Sequence, residues 1–262
     1  MTFNVISDLH INYTWSDEPG HLNEKVLDWN IFDPTKLKEA DYLIIAGDLG
    51  TNSTYKKVLE TIKEENKGKF KDVLWIKGNH DYYCERFGKR NKPPKNRTFE
   101  VVDGDVAIFG TTMWTSLSRI QNQFCVERDM NDYRWIPGWN SEIWHERFNE
   151  ENAWIKQRVD KYRAEGKKVV VVTHHNPGVF MADKWHRNEE KLYTDAAYFC
   201  DDNSCSDIKP DLWICGHKHS RFDEVVDGVR YYRNPIGYHG TWYGPWPQLK
   251  EDHWYDSIVE IK

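Results

Sequence analysis

The sequence predicts an α/β fold, a two-sheet β-sandwich flanked by helices. Three observations carry that expectation. Short runs rich in Val, Ile and Leu recur along the chain, and each stops abruptly at polar residues, as buried strands do. Segments with one apolar face at helical spacing alternate with the first of these runs. Two further pairs of strand-like runs flank an Asp-Gly dipeptide, which is a hairpin signal. Alternating strands and helices followed by hairpins fit two sheets covered by helices.

In chain order, residues 3–6 form the first strand. Asp33-Pro34 reads as an N-cap followed by Pro at the first helical position, predicting a short helix to about Ala40. Residues 42–46 are the second strand. Residues 53–66 place Val58, Leu59 and Ile62 on one helix face, with Gly68 beyond the end. Residues 73–76 are the third strand, and 98–102 with 106–109 form a hairpin around Asp103-Gly104. Between Glu146 and Ala164, the residues Phe148, Ile155, Val159 and Tyr162 define one apolar helix face, and Gly166 stops it. Residues 169–172 and 212–215 are further strands, and 222–226 with 229–233 form a second hairpin around Asp227-Gly228.

Polar blocks that end the strands run from residue 8 to residue 219, so any cut would divide them. Residues 1–262 therefore read as one domain, with insertions near 114–144 and 178–211 that are candidate pocket walls. The net charge of −6 argues against a protein that coats nucleic acid non-specifically. No apolar stretch approaches the roughly 20 residues of a membrane span, and no basic segment precedes the first strand as in a signal peptide. Cys84, Cys125, Cys200, Cys205 and Cys215 are an odd number in no dense framework. They read as reduced thiols of a cytoplasmic protein.

The chemistry lies in five blocks: Asp8-Leu9-His10, Gly47-Asp48, Gly78-Asn79-His80-Asp81, His174-His175 and Gly216-His217-Lys218-His219. Each follows a predicted strand, and ligands in open α/β sheets bind at the carboxyl ends of strands. Strand alternation would aim Asp8 with His10, and His217 with His219, to one side. The blocks offer carboxylates, an amide and imidazoles without a thiolate. Such mixed oxygen and nitrogen donors suit Mn, Fe, Zn or Ni. Seven ligands exceed one zinc and match two ions sharing a bridging carboxylate. Two such ions clamp the attacking and leaving oxygens of an in-line displacement and lower the pKa of bound water. Phosphate ester hydrolysis, whose transition state spreads negative charge over oxygens, is the reaction most in need of this.

In their order, the blocks resemble the calcineurin-like metallophosphoesterase superfamily, whose pattern is Asp-x-His, Gly-Asp, Gly-Asn-His-Asp/Glu, His and Gly-His-x-His. The resemblance runs from Phe3 to about Gly237. It implies one metal held by Asp8, His10, Asp48 and His219, and a second held by Asp48, Asn79, His174 and His217, with Asp48 bridging. It implies two divalent transition-metal ions, Mn2+ first, with Fe, Zn or Ni as alternatives. His80 would contact the phosphate and protonate the leaving group, and Asp81 would orient His80. Aligning the paired histidines with relatives in which two His precede Pro selects His174, leaving His175 as a supporting or pocket residue. Protein phosphatases and diadenosine polyphosphate hydrolases of the superfamily carry Asp-Arg-Gly soon after Gly-Asp. Here Gly47-Asp48 is followed by Leu49-Gly50-Thr51-Asn52. Asn234-Pro235-Ile236-Gly237-Tyr238 instead resembles small bacterial and phage phosphoesterases.

The expected protein is thus a metal-dependent phosphoesterase acting on a phosphodiester or phosphomonoester, nucleotide-derived. The alternative is a nuclease or nucleic-acid end-processing phosphatase, favoured by the basic run Arg86, Lys89, Arg90, Lys92, Lys95 and Arg97 close after Asp81. A metal-free interaction scaffold on the same fold would show eroded ligands, and none is eroded here. His21, His145, His186, His239 and His253 read as ordinary surface or packed residues, and the Trp set as packing.

Overall fold

The computed structural model describes residues 1–11, 27, 29, 32–83, 98–136, 138–182, 196–200, 202–238, 255 and 257–261. Two sheets face each other. The first has strand order β10-β1-β2-β3, from β1 (Thr2–Ile6), β2 (Tyr42–Ala46), β3 (Asp72–Ile76) and β10 (Ile258–Glu260). The second has order β4-β5-β6-β7-β9-β8, from β4 (Phe99–Asp103), β5 (Val106–Thr111), β6 (Lys168–Thr173), β7 (Leu212–Cys215), β8 (Phe222–Val226) and β9 (Val229–Arg233). Strands β1, β2 and β3 pair in parallel, as do β5, β6, β7 and β9. Their carboxyl ends therefore collect at one rim of each sheet.

Side-chain alternation sorts each strand between two environments. Phe3, Val5, Ile44, Ala46, Leu74 and Ile76 of the first sheet pack against Ile108, Val170, Val172, Leu212 and Ile214 of the second. The intervening residues face outward under helices. Leu43, Ile45 and Trp75 pack with Val58, Leu59 and Ile62 of α1 (Tyr55–Glu65). Phe109, Val169, Val171 and Trp213 pack with Phe148, Ile155, Val159 and Tyr162 of α4 (Ser141–Ala164). The layers run helix, sheet, sheet, helix, as the periodicities require. Among the described residues no helix is long and apolar enough to cross a membrane.

Several local expectations shift. Pro34–Lys36 makes only a 3-10 turn, capped by the Asp33 side chain on Thr35 N, because Leu37 turns extended and is buried in the outer cluster. Helix α4 starts at Ser141 rather than Glu146, since the Asn140 side chain accepts from Ile143 N and adds a turn. The first hairpin turns at Gly104-Asp105, one residue later than expected, with Gly104 at φ 61. The second turns at Asp227-Gly228, both in the left-handed region, as two-residue hairpins favour. The irregular-looking segment 114–144 contains α2 (Ile120–Asp129) and α3 (Asp132–Trp135). Strand β10, which closes the first sheet against β1, lies beyond the last sequence signal.

Candidate metal centre

The five blocks follow β1, β2, β3, β6 and β7, and the structure brings their side chains to one place. The convergence does not come from strand alternation, because β1 ends at Ile6 and β7 at Cys215. It comes from backbone strain: Asp8 (φ 55), His10 (φ 43), Asp48 (φ 57) and His217 (φ 67) all occupy the left-handed region. Non-glycine residues there cost about 1–3 kcal/mol each and cluster at functional sites. Space is equally tight. A Cβ on Gly78 would lie 2.1 Å from Asp48 Oδ1, so only glycine lets β3 deliver Asn79 and His80 past the Asp48 carboxylate.

Donor atoms face one another across short distances. His10 Nε2 lies 3.1 Å from His219 Nε2, and His219 Nε2 lies 3.5 Å from Asp8 Oδ1. Asp8 is held from behind by His217 N–H, which donates to Oδ1 at 2.9 Å. Asp48 Oδ1 accepts from His80 N at 2.9 Å, leaving Oδ2 3.6 Å from His10 Nε2 and 3.3 Å from His174 Nε2. His174 Nδ1 meets the Ala46 carbonyl at 2.9 Å, so Nδ1 carries a proton and Nε2 is the nitrogen that faces the site, 3.0 Å from Asn79 Oδ1. Asp8, His10 and His219 form one group with mutual ligand spacing, and Asp48, His174 and His217 form another. His80 stands at similar spacing with His10 and Asp48.

These atoms fit cations. Burial opposes charge on His174, yet Asp48 and Asp8 outweigh it and push its pKa up to about 9, so the pocket draws positive charge to Nε2. Burial likewise pushes Asp48 upward, but His174 and His80 hold it down at about 2, keeping the carboxylate ionised. His217 Nε2 is buried with no hydrogen-bond partner among the described residues. So are both nitrogens of His175, which packs as a flat ring 4.2 Å from His217 and 4.9 Å from Trp114. His174 rather than His175 faces Asp48 and Asn79.

The expected task of Asp81, orienting His80, is not the one its contacts describe. Its carboxylate accepts from Asp48 N (2.8 Å), Gly78 N (2.9 Å) and Gly50 N (3.1 Å), tying the second and third blocks together by their backbones. The side chain of His80 instead meets Tyr238, whose hydroxyl lies 3.0 Å from Nε2. The Tyr238 ring also lies 4.4 Å from His10 and 4.6 Å from His219. Tyr238 stands in the Asn-Pro-x-Gly-Tyr run, so its presence was readable but not its task.

Two more neighbours come from the segments 114–144 and 178–211. Tyr198 stacks 4.8 Å from His217, and Asp132 reaches Asn79; no sequence pattern announced either. Trp114 and Trp139 are buried together with Trp144 and serve as packing. Cys200 and Cys205 sit 3.7 Å apart, sulfur to sulfur, and are buried. The basic run 86–97, Cys84, His21, His186, His239 and His253 lie outside the described residues.

A family model of calcineurin-like phosphoesterases matches residues 1–221. The chain belongs to the calcineurin-like phosphoesterase family. It is therefore a metal-dependent phosphoester hydrolase that uses divalent metal ions, and the clusters above are where this family member can hold them. A phosphopantetheinyl hydrolase from Mycobacterium tuberculosis superposes with a TM-score of 0.56 at 17% identity, over 90% of this chain and 89% of that one. A dimetal phosphatase from Danio rerio superposes with a TM-score of 0.49 at 11% identity, over 88% and 86%. No curated protein matches the chain. At such identity the first likeness speaks to the shared calcineurin-like fold and not to the substrate.

Proposed function

We propose that this phosphoesterase is dinuclear and hydrolyses a nucleotide-derived phosphomonoester or phosphodiester. The observation that carries the reading is the position of Asp48 Oδ2, between His10 Nε2 at 3.6 Å and His174 Nε2 at 3.3 Å. One carboxylate oxygen close to imidazoles from two different sheets supports a ligand shared by two ions. In this reading Asp8, His10, Asp48 and His219 hold one ion, and Asp48, Asn79, His174 and His217 the other. Manganese fits this oxygen-and-imidazole set without thiolate. When bound, the pair supplies Lewis-acid stabilisation of phosphoryl oxygens and a nucleophilic water near neutral pH.

The protein's own groups complete the chemistry. Asp81 fixes the turns that present Asp48 and Asn79 through its three backbone hydrogen bonds. His80 contacts a phosphate oxygen through Nε2 and relays a proton released by the attacking water to the leaving oxygen, with the Tyr238 hydroxyl steadying that nitrogen. Tyr238 is half-buried and sets an aromatic ring at the edge of the rim, a surface on which a nucleobase can stack.

A hydrolysis panel tests the reading. It pairs nitrophenyl mono- and diesters, cyclic nucleotides, nucleotide 2′- and 3′-phosphates and oligonucleotides with Mn2+, Ni2+, Zn2+, Mg2+ or chelator. The expected result is turnover that depends on a transition metal, best on a nucleotide ester, with two ions per chain at saturation. Binding of a single ion, or nitrophenyl esters preferred over every nucleotide, would overturn it.

A further inference from the structure

Asn79 is an amide, and an amide can present either end. Its oxygen lies 3.0 Å from His174 Nε2, the nitrogen that must present a lone pair to the site when His174 is a ligand, because Nδ1 is committed to the Ala46 carbonyl. Turned over, the amide would donate an N–H to that lone pair, and both groups would be lost as ligands. With His174 in the neutral form that a ligand requires, local hydrogen bonding favours the unproductive orientation unless something holds the NH2 end elsewhere.

Asp132 is placed to hold it. Asn79 Nδ2 donates to Asp132 Oδ2 at 3.3 Å and to the Tyr83 hydroxyl at 3.3 Å, and that hydroxyl donates to the same Asp132 oxygen at 3.3 Å. The three side chains close a triangle on the side of Asn79 away from His174. All are buried, Asp132 and Asn79 at 0% and 1% exposure. Asp132 Oδ2 is the acceptor in both contacts, so the NH2 end faces Asp132 and the oxygen faces the site. Asp132 Oδ1 has no hydrogen-bond partner among the described residues. A carboxylate buried this deeply with one oxygen unused contributes little to packing, which points to a task at the site.

Resting on the dinuclear reading, we propose that Asp132, from α3 of the insertion 114–144, is the positioning residue of Asn79. It selects the amide orientation that makes Asn79 a ligand of the ion shared with His174 and His217. Tyr83 relays and braces the contact. The insertion thereby acts on the metal centre from behind, through one carboxylate, and sets the occupancy of one ion without touching the other.

The test is calorimetric titration of the full chain with Mn2+, with Co2+ absorption spectra as a second readout of coordination. Wild type should take up two ions. Asp132→Ala should weaken one of them by about 10–100-fold, the usual effect of losing a partner behind a ligand, and leave the other unchanged. Asp132→Asn, which keeps an acceptor at that position, should recover most of the loss. Tyr83→Phe should weaken the same ion by less. In an Asn79→Ala background, Asp132→Ala should cost nothing further, because the residue it positions is gone. Equal weakening of both ions, a full additional loss in the Asn79→Ala background, or an undiminished second ion in both Asp132→Ala and Tyr83→Phe would overturn the positioning role alone. A wild-type chain that binds fewer than two ions would instead overturn the dinuclear reading and this role with it. If Asp132→Ala does not fold, Asp132→Asn and Tyr83→Phe in the same cycle decide the matter.

Discussion

The two sheets bring unlike chemistry to their common rim. The β1–β3 sheet delivers the oxygen donors Asp8, Asp48 and Asn79, with His10 and His80 beside them. The β5–β9 sheet delivers imidazoles only, His174, His217 and His219. Neither carries a complete donor set, so the centre exists only where the sheets meet. That meeting is fixed by polar contacts at the end of an otherwise apolar interface. His217 N–H reaches Asp8 across the gap, and His174 Nδ1 reaches the Ala46 carbonyl. The lesson is a division of labour. One sheet sets the negative charge that attracts cations, and the other sets direction with imidazoles, of which His174 is held by a backbone carbonyl.

Substituting one residue from each side breaks that division most directly. Asp48→Asn removes the charge facing both His10 and His174. It should empty both ion sites and lower hydrolysis by more than the about 10–100-fold typical of residues behind a ligand. His217→Ala, from the imidazole side, should cost one ion and leave the other. Metal content after desalting, read beside the rate, separates the two cases. An Asp48→Asn protein that retains both ions would end the idea of a shared carboxylate.

His80 belongs to the oxygen-donor sheet but is expected to serve the substrate. His80→Ala should keep its metal and lose about 10²–10⁴-fold in turnover on esters with poor leaving groups, the usual range for general acid catalysis. Nitrophenyl esters, which leave without a proton, should lose much less. Equal losses on both ester types would remove the proton-donor role.

Much of this comparison was legible in the sequence, for reasons that differ between parts. The strands were readable because both faces of the parallel strands are buried, so runs such as Tyr42–Ala46 are apolar throughout. The five blocks were readable because each sits at a strand end. What aims them was not: left-handed backbones at Asp8, His10, Asp48 and His217 carry no composition signal, since a residue type does not declare its φ. Asp81 misled because adjacency to His80 suggested contact, whereas its side chain turns back to the amides of Gly78, Asp48 and Gly50. Asp132 and Tyr198 come from segments with no motif, and only the packed structure brings them to Asn79 and His217.

If ions join the two sheets, their removal should loosen the sandwich as well as stop hydrolysis. A ligand at about 100 times its Kd stabilises by about 2.7 kcal/mol. For a chain of this size that is roughly 5–10 °C in Tm, at about 2–4 °C per kcal/mol. Scanning calorimetry with Mn2+ and with chelator should show such a drop in wild type and a smaller one in His217→Ala. An identical Tm with and without metal would mean that the polar contacts across the gap hold the sheets by themselves.

The smallest effect concerns the chain leaving the second sheet. After β9, Ile236 N donates to Ser7 O at 3.0 Å and Gly237 N to Asp8 O at 2.9 Å, clipping this segment to the first sheet's rim. The next residue, Tyr238, then reaches His80 Nε2. Tyr238→Phe deletes one neutral hydrogen bond, worth about 0.5–1.5 kcal/mol, and leaves the ring against His10 and His219. Turnover should fall roughly 2- to 12-fold at a tenfold change per 1.36 kcal/mol, with metal content unchanged. Because the hydroxyl acts through His80, the same substitution in His80→Ala should cost nothing more. An independent loss in that background would place Tyr238 on the substrate itself, and the crossing from the imidazole sheet to His80 would no longer describe how the two sides cooperate.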